Sequence, residues 1–276
     1  MVVPEVVSRN IIAAGKPMTA VPTSQPFDPD RYRSASAHYE RGRPPYAPAL
    51  IRRVAEVTGL GSQHRVLDLG CGPGPLARSF APLAREVVAV DPSPEMLTEA
   101  RALAGKAANI HFRAGSSYDL GPALGLFHLV VMGRSFHWMD RVDTLKRLDR
   151  IIEPAGAVAL FQDTAPAIPA NAWRKVWHDI CERYEPNTGA HQRDPNWIRH
   201  EAILLDSAFA RLERFGVVER RALDVETLVQ RTLSMGSTSP SYLGEKKTAA
   251  ITAEIRAALA DVREEVVETA ALVAWR

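Results

Sequence analysis

The sequence predicts a doubly wound α/β fold: a seven-stranded, mostly parallel sheet with an antiparallel edge strand, plus a helical cap insertion. Three observations predict it. From His64 onward, short apolar runs alternate with amphipathic helical stretches, which is the pattern of parallel strands covered on both faces. Glycine, aspartate or serine stands at the tips of the first runs, where loops leave a parallel sheet. After residue 165 the alternation gives way to a tryptophan-bearing helix and a polar loop, then resumes.

Taken in order, residues 1–30 contain Pro4, Pro17, Pro22, Pro26 and Pro29 with no sustained apolar period, which predicts a flexible N-terminal arm. Glu5 and Arg9 interrupt the apolar core that a secretory signal would need. Helices are predicted near 35–39 and 49–57, separated by Arg43-Pro44-Pro45, and residues 30–60 are expected to form a lid. Strands are predicted at 65–69, 86–90, 110–113, 126–132 and 157–161, with helices over 76–83 and 94–103 between them. The insertion over 165–210 carries Trp173, Trp177, Ile180, Cys181 and Tyr184 on one helical face, followed by a polar loop with His191 and Trp197. A strand at 215–220, a helix at 225–233, a turn-rich stretch at 234–242, a helix at 246–262 and a strand at 269–275 complete the reading. The last two strands are expected to pair as an antiparallel edge.

Composition narrows the function. The 276 residues are 46% hydrophobic and 24% charged, enough for one large α/β domain with its own core. No apolar run approaches the roughly 18 residues of a membrane span. The formal charge of +2 comes from 34 basic and 32 acidic residues spread along the chain, so no cationic footprint for nucleic acid is expected. Cys71 and Cys181 form neither a metal-ligand spacing nor a disulfide framework, which fits a cytoplasmic protein with no metal site.

The chemistry concentrates in Val66-Leu67-Asp68-Leu69-Gly70-Cys71-Gly72-Pro73-Gly74. Gly70, Gly72 and Gly74 between a strand and a helix let the backbone turn tightly and approach a ligand closely. The spacing is G-x-G-x-G, unlike the G-x-G-x-x-G of dinucleotide sites, and Asp68 ends the strand where a pyrophosphate would be repelled. A carboxylate there suits a ligand carrying an ammonium group.

This segment resembles the first motif of class I S-adenosylmethionine-dependent methyltransferases. The resemblance implies that the turn supports the methionine end of S-adenosyl-L-methionine, with Asp68 toward its amino group, and that S-adenosyl-L-homocysteine is the product. Asp91, at the end of the second strand, matches the acid that accepts both ribose hydroxyls. Ser116 and Ser117 match the segment that meets the adenine ring. Arg134-Ser135-Phe136-His137-Trp138 resembles the F-H-W segment of the small-molecule branch that includes trans-aconitate methyltransferases. It implies cofactor contacts from Arg134, Phe136 and Trp138, aromatic faces suiting a sulfonium cation, and makes His137 the candidate base. Upstream, Tyr39 through Tyr46 resembles the Y-x-x-x-R-P-x-Y entry motif of that branch. Arg43 is then expected at the cofactor carboxylate and Tyr39 over it.

The function implied is methyl transfer to a small molecule with an oxygen, nitrogen or carbon nucleophile, by a monomer or homodimer, without nucleic acid or membrane as partner. Two other readings stand beside it: a non-catalytic cofactor-binding regulator and, less well matched to the glycine spacing, a nicotinamide-dependent oxidoreductase. Structural alternatives stand beside the residue roles too. Asp68 and Asp91 also read as turn or helix caps, Ser116 as a turn serine, and the tryptophan stripe as packing, while Ser234–Tyr242 resembles a serine-rich segment that faces the pocket in relatives and reads equally as a plain loop.

Overall fold

A computed structural model describes residues 34–185 and 197–276. The expected N-terminal arm and His191 lie outside those residues. One seven-stranded sheet organises the rest, with strands β1 (Arg65–Leu69), β2 (Glu86–Asp91), β3 (Ile110–Ala114), β4 (Phe127–Gly133), β5 (Ile152–Thr164), β6 (Arg211–Ala222) and β7 (Glu264–Trp275). Their order is β3-β2-β1-β4-β5-β7-β6. The first five run parallel, and β7 runs antiparallel to both β5 and β6.

Nine α-helices accompany the strands among the described residues: α1 (Ser36–Gly42), α2 (Pro48–Thr58), α3 (Pro75–Phe80), α4 (Pro94–Ala104), α5 (Arg141–Leu148), α6 (Trp173–Tyr184), α7 (His200–Leu205), α8 (Val225–Leu233) and α9 (Pro240–Ala258). Strand periodicity sorts side chains to two faces. Val66, Leu129 and Val131 pack with Leu50 and Val54 of α2 and Leu76 of α3, whereas Leu67, Val130 and Met132 pack with Leu145 and Leu148 of α5 and Leu204 of α7. A third apolar cluster joins Trp177 and Ile180 of α6 to Leu228 of α8 and Ile251 and Ile255 of α9. No helix among the described residues is long and apolar enough to cross a membrane.

The edge differs from expectation in length. β5 continues past Phe161 to Thr164 because its polar end pairs with β7, from Ala157↔Trp275 to Thr164↔Glu268. β6 and β7 likewise begin earlier than their apolar runs, extended by mutual pairing from Arg211↔Trp275 to Ala222↔Glu264. α9 starts at Pro240, inside the predicted turn-rich stretch, and breaks at Gly244, which sits at φ 75° and ψ 166°. Helices α5 and α7 were not predicted; α5 has a plain start signal, since the Asp140 carboxylate accepts the Asp143 N–H at 3.0 Å.

Candidate active site

The carboxyl ends of β1, β2, β4 and β5 open on a cavity of about 970 Å³, walled on the far side by the lid segment, α6 and the start of α7. This is the position where parallel α/β sheets bind ligands. The turn after β1 forms one wall. Gly70 (φ 68°) and Gly74 (φ 78°) are left-handed, and a side chain on Gly70 would place its Cβ 2.6 Å from Cβ of Ser135. Gly70 and Cys71 donate their N–H groups to Val90 O at 2.8 and 3.0 Å, which ties the turn to the tip of β2.

Two buried carboxylates stand at those tips. Asp68 Oδ2 accepts the Ala77 N–H at 2.8 Å, in the first turn of α3, while no hydrogen bond from the described residues reaches Oδ1. Burial pushes the Asp68 carboxyl up to about 7, against the Ala77 hydrogen bond, and the nearby Asp91 adds to the rise. Asp91 Oδ2 accepts the Gly72 N–H at 2.8 Å and Oδ1 the Ser93 N–H at 2.9 Å. Burial raises its carboxyl too, and those two N–H groups oppose the rise. A carboxylate has about four lone-pair sites, so Asp91 retains acceptor capacity beyond its two backbone bonds. Both aspartates are therefore caps and cavity-lining acids at once.

Of the residues singled out in the sequence, Tyr39, Arg43, Asp68, Gly70, Gly72, Asp91, Ser116, Ser117, Arg134, Phe136, His137 and Trp138 line this cavity. Gly74 does not: it begins α3 and packs toward Phe112, so its part is to shape the turn. Ser116 also caps its own turn, its hydroxyl donating to Asp119 Oδ2 at 2.9 Å and accepting from Tyr118 N–H at 3.2 Å. Arg134, at φ 56°, commits its guanidinium to protein partners. Nε pairs with Asp163, Nη2 donates to Pro44 O at 2.7 Å, and the group lies 4.6 Å from the Tyr46 ring centre. It clamps the lid to the tips of β4 and β5.

His137, the candidate base, stands on the same wall. It lies in a short 3-10 turn over Phe136–Trp138, and burial, with His200, Arg141 and Arg43 nearby, lowers its imidazolium to about 4. The ring is neutral at physiological pH but only weakly basic, whereas a base for neutral pH is best tuned near it. Neighbouring His200, whose ring centre is 5.1 Å from that of Phe136, is lowered to about 4 by burial and by Arg141.

The cavity also collects residues that the sequence did not single out: Asp163, Arg174, His178 and His200. Asp163 was findable, because it follows an apolar run just as Asp68 and Asp91 do. The others reach the cavity only through folding of distant segments. Trp177 lines the cavity and donates Nε1–H to Thr232 Oγ1 at 2.8 Å, so its packing role and its place in the wall coexist. Within the serine-rich stretch, Met235 alone of residues 234–239 reaches the wall, and Ser234, Thr238 and Ser239 are buried in the local turn. Trp197 lies under Arg141, 4.0 Å from ring centre to guanidinium, and does not line the cavity.

A parallel sheet with a reversed β7, a side-chain-free turn after β1 and acids on successive strand tips define a class I methyltransferase fold. Residues 66–156 match the family described as a methyltransferase domain. Residues 66–156 thus carry a methyltransferase domain, set in a sheet of the class I methyltransferase fold. It is 32% identical over 133 residues to an uncharacterised methyltransferase of Mycobacterium tuberculosis, covering 48% of this chain and 52% of that protein. It is 34% identical over 147 residues to a trans-aconitate 2-methyltransferase of Streptomyces avermitilis, covering 51% of each. The chain therefore spans about half the length of these curated relatives. A solved structure from Anaeromyxobacter dehalogenans, assigned as a type II methyltransferase, shares the fold at a TM-score of 0.57 with 19% identity, covering 84% of this chain and 96% of that one.

Proposed function

We propose that this protein transfers a methyl group from S-adenosylmethionine to a small-molecule acceptor by in-line displacement. The observation that carries the reading is the pairing of the Asp68 and Asp91 carboxylates on one wall of the cavity with Phe136, His137 and Trp138 on another. The chemistry of the wall fits the cofactor. Asp68 keeps an oxygen unbonded among the described residues for an ammonium, Asp91 keeps lone pairs for two ribose hydroxyls, and the turn brings Gly70 and Gly72 to the cavity wall. When bound, S-adenosylmethionine supplies a methyl group already activated by its sulfonium.

What remains for the chain is alignment and exclusion of water. Gly70 and Gly72 would support the methionine end, with Arg43 at its carboxylate and Tyr39 covering it. Ser116 and Ser117 would border the adenine. Phe136 and Trp138 would present aromatic faces to the sulfonium, and Arg134 would hold the lid and strand tips in register. His137, neutral and weakly basic, would accept a hydrogen bond from the acceptor and so orient its nucleophilic atom. Acceptors that arrive ionised need no base at all.

Calorimetry with S-adenosylhomocysteine, followed by incubation with methyl-labelled cofactor and a cytosolic metabolite extract, tests the reading. Association of the product and label on a metabolite are expected. Association without any transferred label favours a binding regulator, and absence of association sinks the proposal.

A further inference from the structure

The end of the cavity farthest along β5 carries more positive than negative charge. Four arginines gather there from separate elements: Arg43 of the lid, Arg134 after β4, Arg174 of α6 and Arg231 of α8. Two carboxylates, Asp163 and Glu265, face them. Arg231 is buried and paired through both nitrogens with Glu265, at 2.7 and 2.9 Å, and Arg134 is paired with Asp163. Burial pushes the Asp163 carboxyl up, but Arg134, together with Arg43 and Arg231, outweighs it and holds the group below the usual carboxylate range. Both carboxylates are thus hydrogen-bonded to Arg134 or Arg231, which leaves two positive charges without an ion pair among the described residues.

Those two belong to Arg43 and Arg174. Arg43 makes a single long hydrogen bond, Nη2 to Ser234 O at 3.4 Å, and its Nε is buried with no partner among the described residues. Arg174 has no hydrogen bond or ion pair among the described residues. Its guanidinium instead lies 5.6 Å from the Trp173 ring centre and 5.7 Å from that of Trp177, on the cavity wall. Burial lowers its basicity, and Arg231 lowers it further, without removing its charge at neutral pH. A guanidinium supported by aromatic faces, with its donor fork unused, is built to receive an oxyanion in two parallel hydrogen bonds.

We propose that Arg174 is the specificity-determining residue of the acceptor site and binds an oxyanion group carried by the acceptor. This rests on the methyl-transfer reading, in which Arg43 meets the carboxylate of the cofactor; Arg174 is then the remaining cation for the second molecule. The acceptor class is accordingly an organic acid, and the wall of Trp177, His178 and Met235 beside Arg174 borders the rest of it.

The test uses the full chain with methyl-labelled S-adenosylmethionine and a metabolite extract divided by anion exchange into retained and unretained fractions. Label is expected on a compound in the retained fraction. Its identified acceptor should then show, with R174Q, a KM raised about 10- to 100-fold and kcat changed less than about threefold, the loss expected when a charged hydrogen-bond donor is removed. R174K, which keeps the charge without the fork, should fall between. Association of S-adenosylhomocysteine, measured by calorimetry, should stay within about twofold in both variants, which also shows that they fold. Label confined to the unretained fraction, or unchanged KM in R174Q, overturns the assignment. Equal loss of S-adenosylhomocysteine association and of transfer overturns it as well, since Arg174 would then serve the cofactor or the fold. Failure of the wild-type chain to associate with S-adenosylhomocysteine removes the underlying methyl-transfer reading instead, and this inference with it.

Discussion

The Asp91 carboxylate, at the tip of β2, reaches over to the turn after the neighbouring strand β1, accepting the Gly72 N–H at 2.8 Å, while its other oxygen holds the Ser93 N–H at 2.9 Å. One side chain therefore fixes the glycine turn, starts the loop into α4 and faces the cavity. Asn in its place must point an amide N–H at one of those two donors. D91N is expected to cost about 1–3 kcal/mol of stability and weaken S-adenosylhomocysteine about 10- to 100-fold. Denaturant unfolding and calorimetry on the same preparation check the two effects.

Asp68 links the site to pH. Its folded-state carboxyl is near 7 against an ordinary 3.8, so between these values the folded protein binds the extra proton. Stability contributed by this group is then present at low pH and lost as pH rises from about 4 through about 7. Thermal unfolding of the free protein should lose that slope in D68N.

The same titration should appear in binding. An ammonium beside Asp68 favours the ionised carboxylate, so S-adenosylhomocysteine should bind several-fold more tightly at pH 8 than at pH 6, releasing a proton. Calorimetry in buffers of different ionisation heat reads the proton directly. An affinity independent of pH would place the ammonium elsewhere.

His137, lowered to about 4, predicts a methyl-transfer rate with no inflection near 6.5. H137Q should lower transfer about 10-fold, short of the roughly 10²- to 10⁴-fold loss that removal of a general base produces. A pH–rate profile with the identified acceptor distinguishes the two roles.

Gly70 combines a left-handed backbone with a 2.6 Å approach to Ser135 Cβ. G70A is expected to destabilise the fold by about 2–5 kcal/mol, from the conformational and packing costs together. Urea unfolding measures it, and a shift under 1 kcal/mol would mean that the turn relaxes freely.

Much of this was legible in the residues themselves. β1 was readable to the residue, because an apolar run ended by Asp68-Leu69-Gly70 has one local solution. Asp68 and Asp91 could be named because each sits where a strand must end. β5, β6 and β7 were read short, since their outer halves (Gln162-Asp163-Thr164, Arg211 to Arg214, Glu264-Glu265) are polar and become strand only through pairing with one another. Arg174 and His200 were invisible as site residues for another reason. Their positions depend on how α6 packs against α8 and α9 and how α7 meets α5, which local periodicity does not encode. The weak basicity of His137 was equally hidden, because it arises from burial beside Arg141 and His200 rather than from its neighbours in sequence.

β7 is made after both of the strands it separates. During synthesis, β1 through β5 have every partner they need except on one side, and β6 emerges with no sheet to join until the later segment slots in beside it. Ribosome-bound chains halted between Ala222 and Glu264 would consequently display two ladders of unpaired amides, on β5 and on β6, and these are the places where chaperone capture or aggregation should begin.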